Sequence, residues 1–271
     1  MTIQTVHALR RPEGSLEYDV TGDGPLVVCL PGMGELRGSY RFTVPALAGA
    51  GFRVATLDLR GHGGSDATFS RYDDVAAGAD VLALIEEQGG PAVVVGNSMG
   101  AGAAVLAAAE RPDLVSGLVL VGPFVRNAPM NPLLALAFRA AMSGPWAPAV
   151  WGRYLPSLYP GCRPDDFTEH RDAIRASMRL PGHAKAFAAT TRTSHAPAEA
   201  HLAEVTAPAL VVMGGADPDF RDPIAEADWI ADQLGAEKLL VPEAGHYPQT
   251  EYPDRVNPAL VDFCSRVLRD A

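Results

Sequence analysis

The sequence predicts an α/β fold: a doubly wound, mostly parallel sheet carrying one helical insertion. The first observation is a set of short apolar runs, PLVVCL (25–30), RVATLD (53–58), AVVVG (92–96), GLVLVG (117–122), ALVVM (209–213) and EKLLV (237–241), with glycine or proline close by. Runs that are continuously apolar, rather than alternating, belong to strands covered on both faces. The second is what lies between them. Residues 70–88 place Val75, Ala79, Leu82 and Ile85 at helical spacing, with Ser70 as a predicted cap and Gly89-Gly90 as a stop. Strand–helix alternation of this kind makes a doubly wound sheet. The third is its interruption between about 124 and 206, where only helical, proline-punctuated sequence is found.

The other elements follow the same rules. SLEYDV (15–20) alternates and predicts an antiparallel edge strand. The last segment opens at Pro253, suited to a first helical turn, and repeats Val256, Leu260, Phe263 and Val267 on one face. The division expected is therefore a core of 1–123 and 207–271 with a helical cap of 124–206.

Composition bounds the partners. The 271 residues are 48% hydrophobic and 20% charged, an ordinary globular balance. A net charge of −10 argues against nucleic acid and anionic membranes, which demand basic surface. Cys29, Cys162 and Cys264 form no CxxC pair, which fits a reducing compartment. No stretch approaches the ~18 uninterrupted apolar residues of a membrane span, and the first twenty residues lack a signal-like apolar core. The expectation is a cytoplasmic protein acting on a small molecule.

The chemistry is concentrated at VVVGNSMGAGAAVLAA (93–108), where a β-branched run becomes an alanine-rich helix across Gly96-Asn97-Ser98-Met99-Gly100. In an open α/β sheet, ligands bind beyond the carboxyl ends of strands, where Ser98 falls. A turn this sharp strains its central residue and demands small neighbours two positions away, which Gly96 and Gly100 supply. Ser98 is thus the candidate nucleophile. A similar string, GGSDA (63–67), follows no strand directly and precedes no long helix, so it lacks that context.

A serine needs a histidine base and a carboxylate to orient it. His246 follows the last strand-like run, at the same sheet edge as Ser98. The acid should follow the preceding strand, where Asp217 is chosen over Asp219 and Asp222. Two backbone amides must face the developing oxyanion. Met99, directly after the serine, and Met33, between Gly32 and Gly34 in LPGMGE, are the candidates.

Taken together, LPGMG, LDLRGHGGSD (57–66), VVVGNSMGAG, ERPDLV (110–115), MGGADPD (213–219) and AGHYPQTEYPDRV (244–256) resemble the α/β-hydrolase superfamily, in its capped, esterase-like branch. The resemblance covers about 15–123 and 207–271. It implies Ser98 as nucleophile, Asp217 as acid, His246 as base and the Met33 and Met99 amides as oxyanion donors. Two departures stand out: Pro31 occupies a position where the family usually has a histidine that steadies the oxyanion loop, and Ala101 a position where a third glycine is common. Serine at 98 disfavours the branches that use an aspartate nucleophile.

Within the insertion, Trp146, Trp151 and Tyr154, with Tyr159, are candidates for an apolar substrate pocket or for seating the cap. Arg171, Arg175 and Arg179 form a stripe that reads better as a solvated face than as a clamp. No HExxH, no GxGxxG after the first strand and no Gly-Lys-Ser/Thr occur, so neither metal nor nucleotide cofactor is expected. The expected activity is hydrolysis of a small carboxylic ester through an acyl-enzyme. Alternatives are hydrolysis of a carbon–carbon bond in a diketone-type substrate, lactone hydrolysis or perhydrolysis with the same triad, and a slow-turnover ligand sensor.

Overall fold

The structure, a computed structural model, describes residues 6–127 and 132–269; the predicted core boundaries at 1–5 and 270–271 lie outside that range. Eight strands form one sheet: β1 (Val6–Arg11), β2 (Gly14–Thr21), β3 (Leu26–Leu30), β4 (Arg53–Leu57), β5 (Ala92–Asn97), β6 (Val115–Val121), β7 (Ala209–Gly214) and β8 (Glu237–Val241). Their spatial order is β1-β2-β4-β3-β5-β6-β7-β8. All pairings from β4 to β8 are parallel, whereas β1–β2 and β2–β4 are antiparallel. Every residue of β3, β5 and β7 is buried, which explains their unbroken apolar sequence.

Two predicted details change. SLEYDV lies within β2, which is antiparallel but not at the edge; β1 covers it, and its half-exposed VHALRR has no run of apolar residues to signal a strand. The helix expected from Ser70 begins later, at α2 (Asp74–Gln88). Asp73 caps it by accepting a hydrogen bond from the Ala76 amide, while Ser70 is turned toward Glu13. The predicted stop holds, since Gly89 ends α2 in a left-handed conformation.

Helices cover both faces of the sheet. On one side lie α1 (Thr43–Gly49) and the C-terminal α11 (Pro253–Arg269), whose Val256, Leu260 and Phe263 are buried against Val93, Val95 and Val119. On the other, α2 and α3 (Met99–Glu110) pack against Val28, Val94 and Leu120.

Between β6 and β7 the described residues form helices joined by turns and loops, with no strand: α4 (Pro132–Ala141), α5 (Ala147–Tyr154), α6 (Phe167–Ser177), α7 (His183–Thr190) and α8 (Ala196–His201). Much of this segment packs around its own apolar cluster, with Trp151, Leu155, Tyr159, Phe167 and Phe187 meeting Tyr247 of the core. An Arg41–Asp166 ion pair at 2.6 Å adds a polar tie to the core. After β7 come α9 (Pro223–Leu234) and, following β8, the one-turn α10 (Pro248–Glu251). Among the described residues no helix is long and apolar enough to cross a membrane.

Candidate active site

Ser98 stands between β5 and α3 with φ 57° and ψ −123°, the one described non-glycine residue with positive φ. Such a conformation is strained for an L-residue and persists only where its surroundings enforce it. Here they do. A Cβ at position 96 would lie 2.3 Å from the Gly100 carbonyl oxygen, and one at position 100 would lie 2.5 Å from that of Leu30. Glycine is required at both because backbone occupies the space a side chain would need. The Ser98 amide is tied to the Val121 carbonyl at 2.9 Å, fixing the turn to the end of β6.

His246 lies beyond β8 and is buried. Its Nδ1 is 2.7 Å from Asp217 Oδ2, so Nδ1–H donates to the carboxylate and Nε2 is the nitrogen left to act. Burial alone would disfavour a charged ring; the Asp217 charge and hydrogen bond outweigh it and push the His246 pKa up to about 9. The loop is anchored on both sides: the His246 amide donates to the Leu158 carbonyl at 2.9 Å, and Asn97 Nδ2 donates to the His246 carbonyl at 3.2 Å.

Asp219 lies close but is engaged elsewhere. Its Oδ2 is 3.9 Å from His246 Nδ1, too far for a hydrogen bond, while its Oδ1 accepts from the Tyr154 hydroxyl at 2.5 Å. Burial pushes its pKa up. Its own amide donates to Asp217 Oδ1 at 3.0 Å, so it helps orient the neighbouring carboxylate. Asp222 instead caps α9. Asp217, Asp219 and His246 together put three potential metal-ligand atoms within 4.8 Å of one another. In the structure Asp217 and His246 are hydrogen-bonded to each other and Asp219 to Tyr154.

The oxyanion-loop candidate is held at Gly34. Its amide donates to His62 Nε2 at 3.1 Å and its carbonyl accepts from the Trp151 indole N–H at 2.8 Å. His62 comes from the RGHGGSD stretch, and its Nδ1–H in turn meets the Arg60 carbonyl at 3.0 Å. That pair of bonds fixes the neutral tautomer, with Nε2 as acceptor. His62 therefore supplies from another loop the support that Pro31 cannot. In sequence the histidine of this motif carries no signal of the role, because the contact spans 28 residues. The Met33 and Met99 amides have no protein acceptor among the described residues.

Burial lowers the His62 pKa to about 4. Its unfolded value is about 6.5, so folding excludes a proton that the unfolded chain binds. The stability contributed by the neutral ring is complete above about pH 6.5 and is lost as pH falls toward 4, by about 3 kcal/mol in all. Urea unfolding at pH 7.5 and pH 4 should therefore show a smaller acid loss in His62→Gln than in the wild type. Equal acid sensitivity would contradict this role.

Ser98, Met33, Met99, His246, Trp151 and Tyr154 all border one cavity of about 500 Å³, a size suited to a small ligand. Trp146 does not border it: the ring is 55% exposed and its indole N–H reaches only the Ala140 carbonyl at 3.4 Å. Tyr159 is buried against Tyr247 and Phe167, seating the helices on the core. Arg171 and Arg175 are part-buried and pair with exposed Asp172, Arg175 packing along Gly152 of α5, and Arg179 lies past the end of α6.

A model of the alpha/beta hydrolase family matches residues 27–259. The chain belongs to the alpha/beta hydrolase family. It is a hydrolase by that membership, and its eight-stranded, mostly parallel sheet is the architecture the resemblance implied. BpoC of Mycobacterium tuberculosis, a protein assigned the name non-heme bromoperoxidase, is 31% identical over 264 residues, covering 93% of this chain and 98% of that protein. The pimeloyl-[acyl-carrier protein] methyl ester esterase of Nitrosomonas europaea is 28% identical over 253 residues, covering 89% and 96%. Among solved structures, an esterase from Exiguobacterium antarcticum superposes with a TM-score of 0.82 at 18% identity, covering 97% of this hydrolase and all of that chain, a likeness of fold alone.

Proposed function

We propose that this hydrolase cleaves a small-molecule carboxylic ester through an acyl-enzyme on Ser98. The observation that carries the reading is the 2.7 Å hydrogen bond between His246 and Asp217 at the wall of the cavity that Ser98 also borders. Ser98 Oγ attacks the ester carbonyl carbon as His246 Nε2 takes its proton. The carbonyl oxygen becomes an oxyanion, received by the unpaired amides of Met33 and Met99. The imidazolium then protonates the departing alcohol, while Asp217 balances its charge without taking the proton. Water enters, gives a proton to His246 and attacks the acyl carbon. Collapse releases the acid and returns the proton to Ser98. Residues 124–206 act as the cap, with Trp151 and Tyr154 as substrate-contacting side chains, and the protein works in the cytoplasm.

A p-nitrophenyl ester series from acetate to octanoate tests this. The reading predicts release that depends on Ser98, with an optimum at a chain length set by the cavity. Release that is absent, or unchanged in Ser98→Ala, would contradict it. A second reading is favoured by the bromoperoxidase name of the BpoC relative: hydrogen peroxide in place of water would attack the same acyl carbon and release a peracid. Peracid formation from an ester and peroxide that vanishes in Ser98→Ala would add this activity.

A further inference from the structure

A second histidine–aspartate pair meets the same cavity. His195 Nδ1 is 2.6 Å from Asp74 Oδ2, and Asp74 is fully buried at the start of α2. The Thr193 hydroxyl donates to the other oxygen of Asp74 at 3.3 Å. From the opposite side, the His195 amide donates to Asn127 Oδ1 at 2.9 Å, and Asn127 Nδ2 donates to the Ser194 hydroxyl at 3.0 Å. The ring rests against Phe124, with centroids 5.5 Å apart, and Phe124 meets the His246 ring at 5.8 Å. His195 Nε2 has no protein partner among the described residues, and His195 borders the cavity.

A buried ion-pairing group is a poor source of stability, because desolvation consumes most of the attraction. What this pair does accomplish is to fix a second imidazole at the wall of the cavity, with one nitrogen spoken for and the other free. Two cationic side chains border the same cavity. Arg192 and Arg139 both border the cavity, both are exposed, and neither is paired with a carboxylate among the described residues. The acidic side chain of the cavity, Asp219, is bound to Tyr154 beside His246.

We propose that His195, held by Asp74, and Arg192 recognise a carboxylate on the acyl part of the substrate, so that the preferred ligands are monoesters of dicarboxylic acids. Nδ1–H stays with Asp74, and the ring turns Nε2–H to the substrate carboxylate when that second nitrogen carries a proton. Arg192 adds a charge-assisted contact at the rim, with Arg139 contributing to the same field. The inference rests on the ester-hydrolase reading for the direction in which the substrate lies: scissile ester toward Ser98, free carboxylate toward residues 192–195.

Equilibrium binding tests it without turnover. Monomethyl esters of C4 to C8 dicarboxylic acids are titrated calorimetrically into Ser98→Ala, beside methyl esters of uncharged monocarboxylic acids of equal length. The expected result is at least about tenfold tighter binding of one or more charged ligands, with the preference reduced about tenfold in Ser98→Ala/His195→Gln and in Ser98→Ala/Arg192→Ala. Arg192 is exposed, so its variant keeps the test open if the His195 variant fails to fold. Equal binding of charged and uncharged ligands, or a preference that survives both substitutions, would overturn the proposal. Ser98-dependent cleavage of p-nitrophenyl acetate without any carboxylate preference would sink this inference alone. Carboxylate-selective binding without Ser98-dependent cleavage would sink the esterase reading and leave the ligand site standing.

Discussion

Ser98→Ala is expected to lower kcat/KM for p-nitrophenyl butyrate by at least about 10⁴-fold, with thermal unfolding close to that of the wild type. The loss is large because no other hydroxyl is held in the same turn. The fold survives because the strained backbone at position 98 is imposed by Gly96, Gly100 and the bond from the Ser98 amide to Val121, none of which involves the side chain. His246→Ala should cost a similar factor. The double variant should lose little more, since nucleophile and base act as one unit and their effects do not add. Independent, additive losses would mean that the two side chains do not share a step. Steady-state kinetics beside circular-dichroism melting curves distinguishes a lost reaction from a lost fold.

Asp217→Asn is the second large effect, a fall in kcat of about 10⁴-fold under the proposed mechanism. An asparagine at this position can present N–H to His246, which favours the wrong tautomer and leaves Nε2 protonated. The pH profile gives the more specific test. Asp217 is what holds the His246 pKa near 9 against the effect of burial. The base must be neutral to act, so wild-type kcat/KM should rise with pH through an alkaline limb. Without the Asp217 charge, burial favours the neutral ring and the limb should move to lower pH. Asp219→Asn should move it less, because that carboxylate is 3.9 Å from Nδ1 and bonded to Tyr154. A larger shift from Asp219 than from Asp217 would exchange their roles.

How much was legible in the sequence depended on the range of the interaction. β3, β5, β6 and β7 were readable because strands buried on both faces need continuous apolar runs, and β8, though an exposed edge strand, still carries Leu239, Leu240 and Val241. β1 was not, because an edge strand with one exposed face carries no such demand. The cap of α2 was misplaced by three residues because Ser70 and Asp73 are both capping types, and a long-range contact to Glu13 claims the serine. The Ser98 turn was legible for a local reason: glycines two positions either side report a crowded backbone directly. Asp217 and His246 followed from sheet order. Two of the histidines that sequence left without a role, His62 and His195, make contacts across 28 and 121 residues, with Gly34 and Asp74. No spacing rule links such partners. Trp146 and Trp151 look alike in sequence, yet Trp151 turns inward to the Gly34 carbonyl while Trp146 stays exposed, a choice made by helix packing in the insertion.

The measurement that tests the central claim most directly is to find the acyl group itself. The hydrolase is mixed with p-nitrophenyl acetate, quenched in acid within the first turnovers, digested and mapped by mass spectrometry. The proposed mechanism predicts an acetyl group on the peptide containing Ser98, localised to that hydroxyl, formed at the rate of the p-nitrophenol burst and absent from Ser98→Ala. An active enzyme whose acetyl group sits on another residue, or whose Ser98→Ala variant still forms the adduct and turns over, would contradict it.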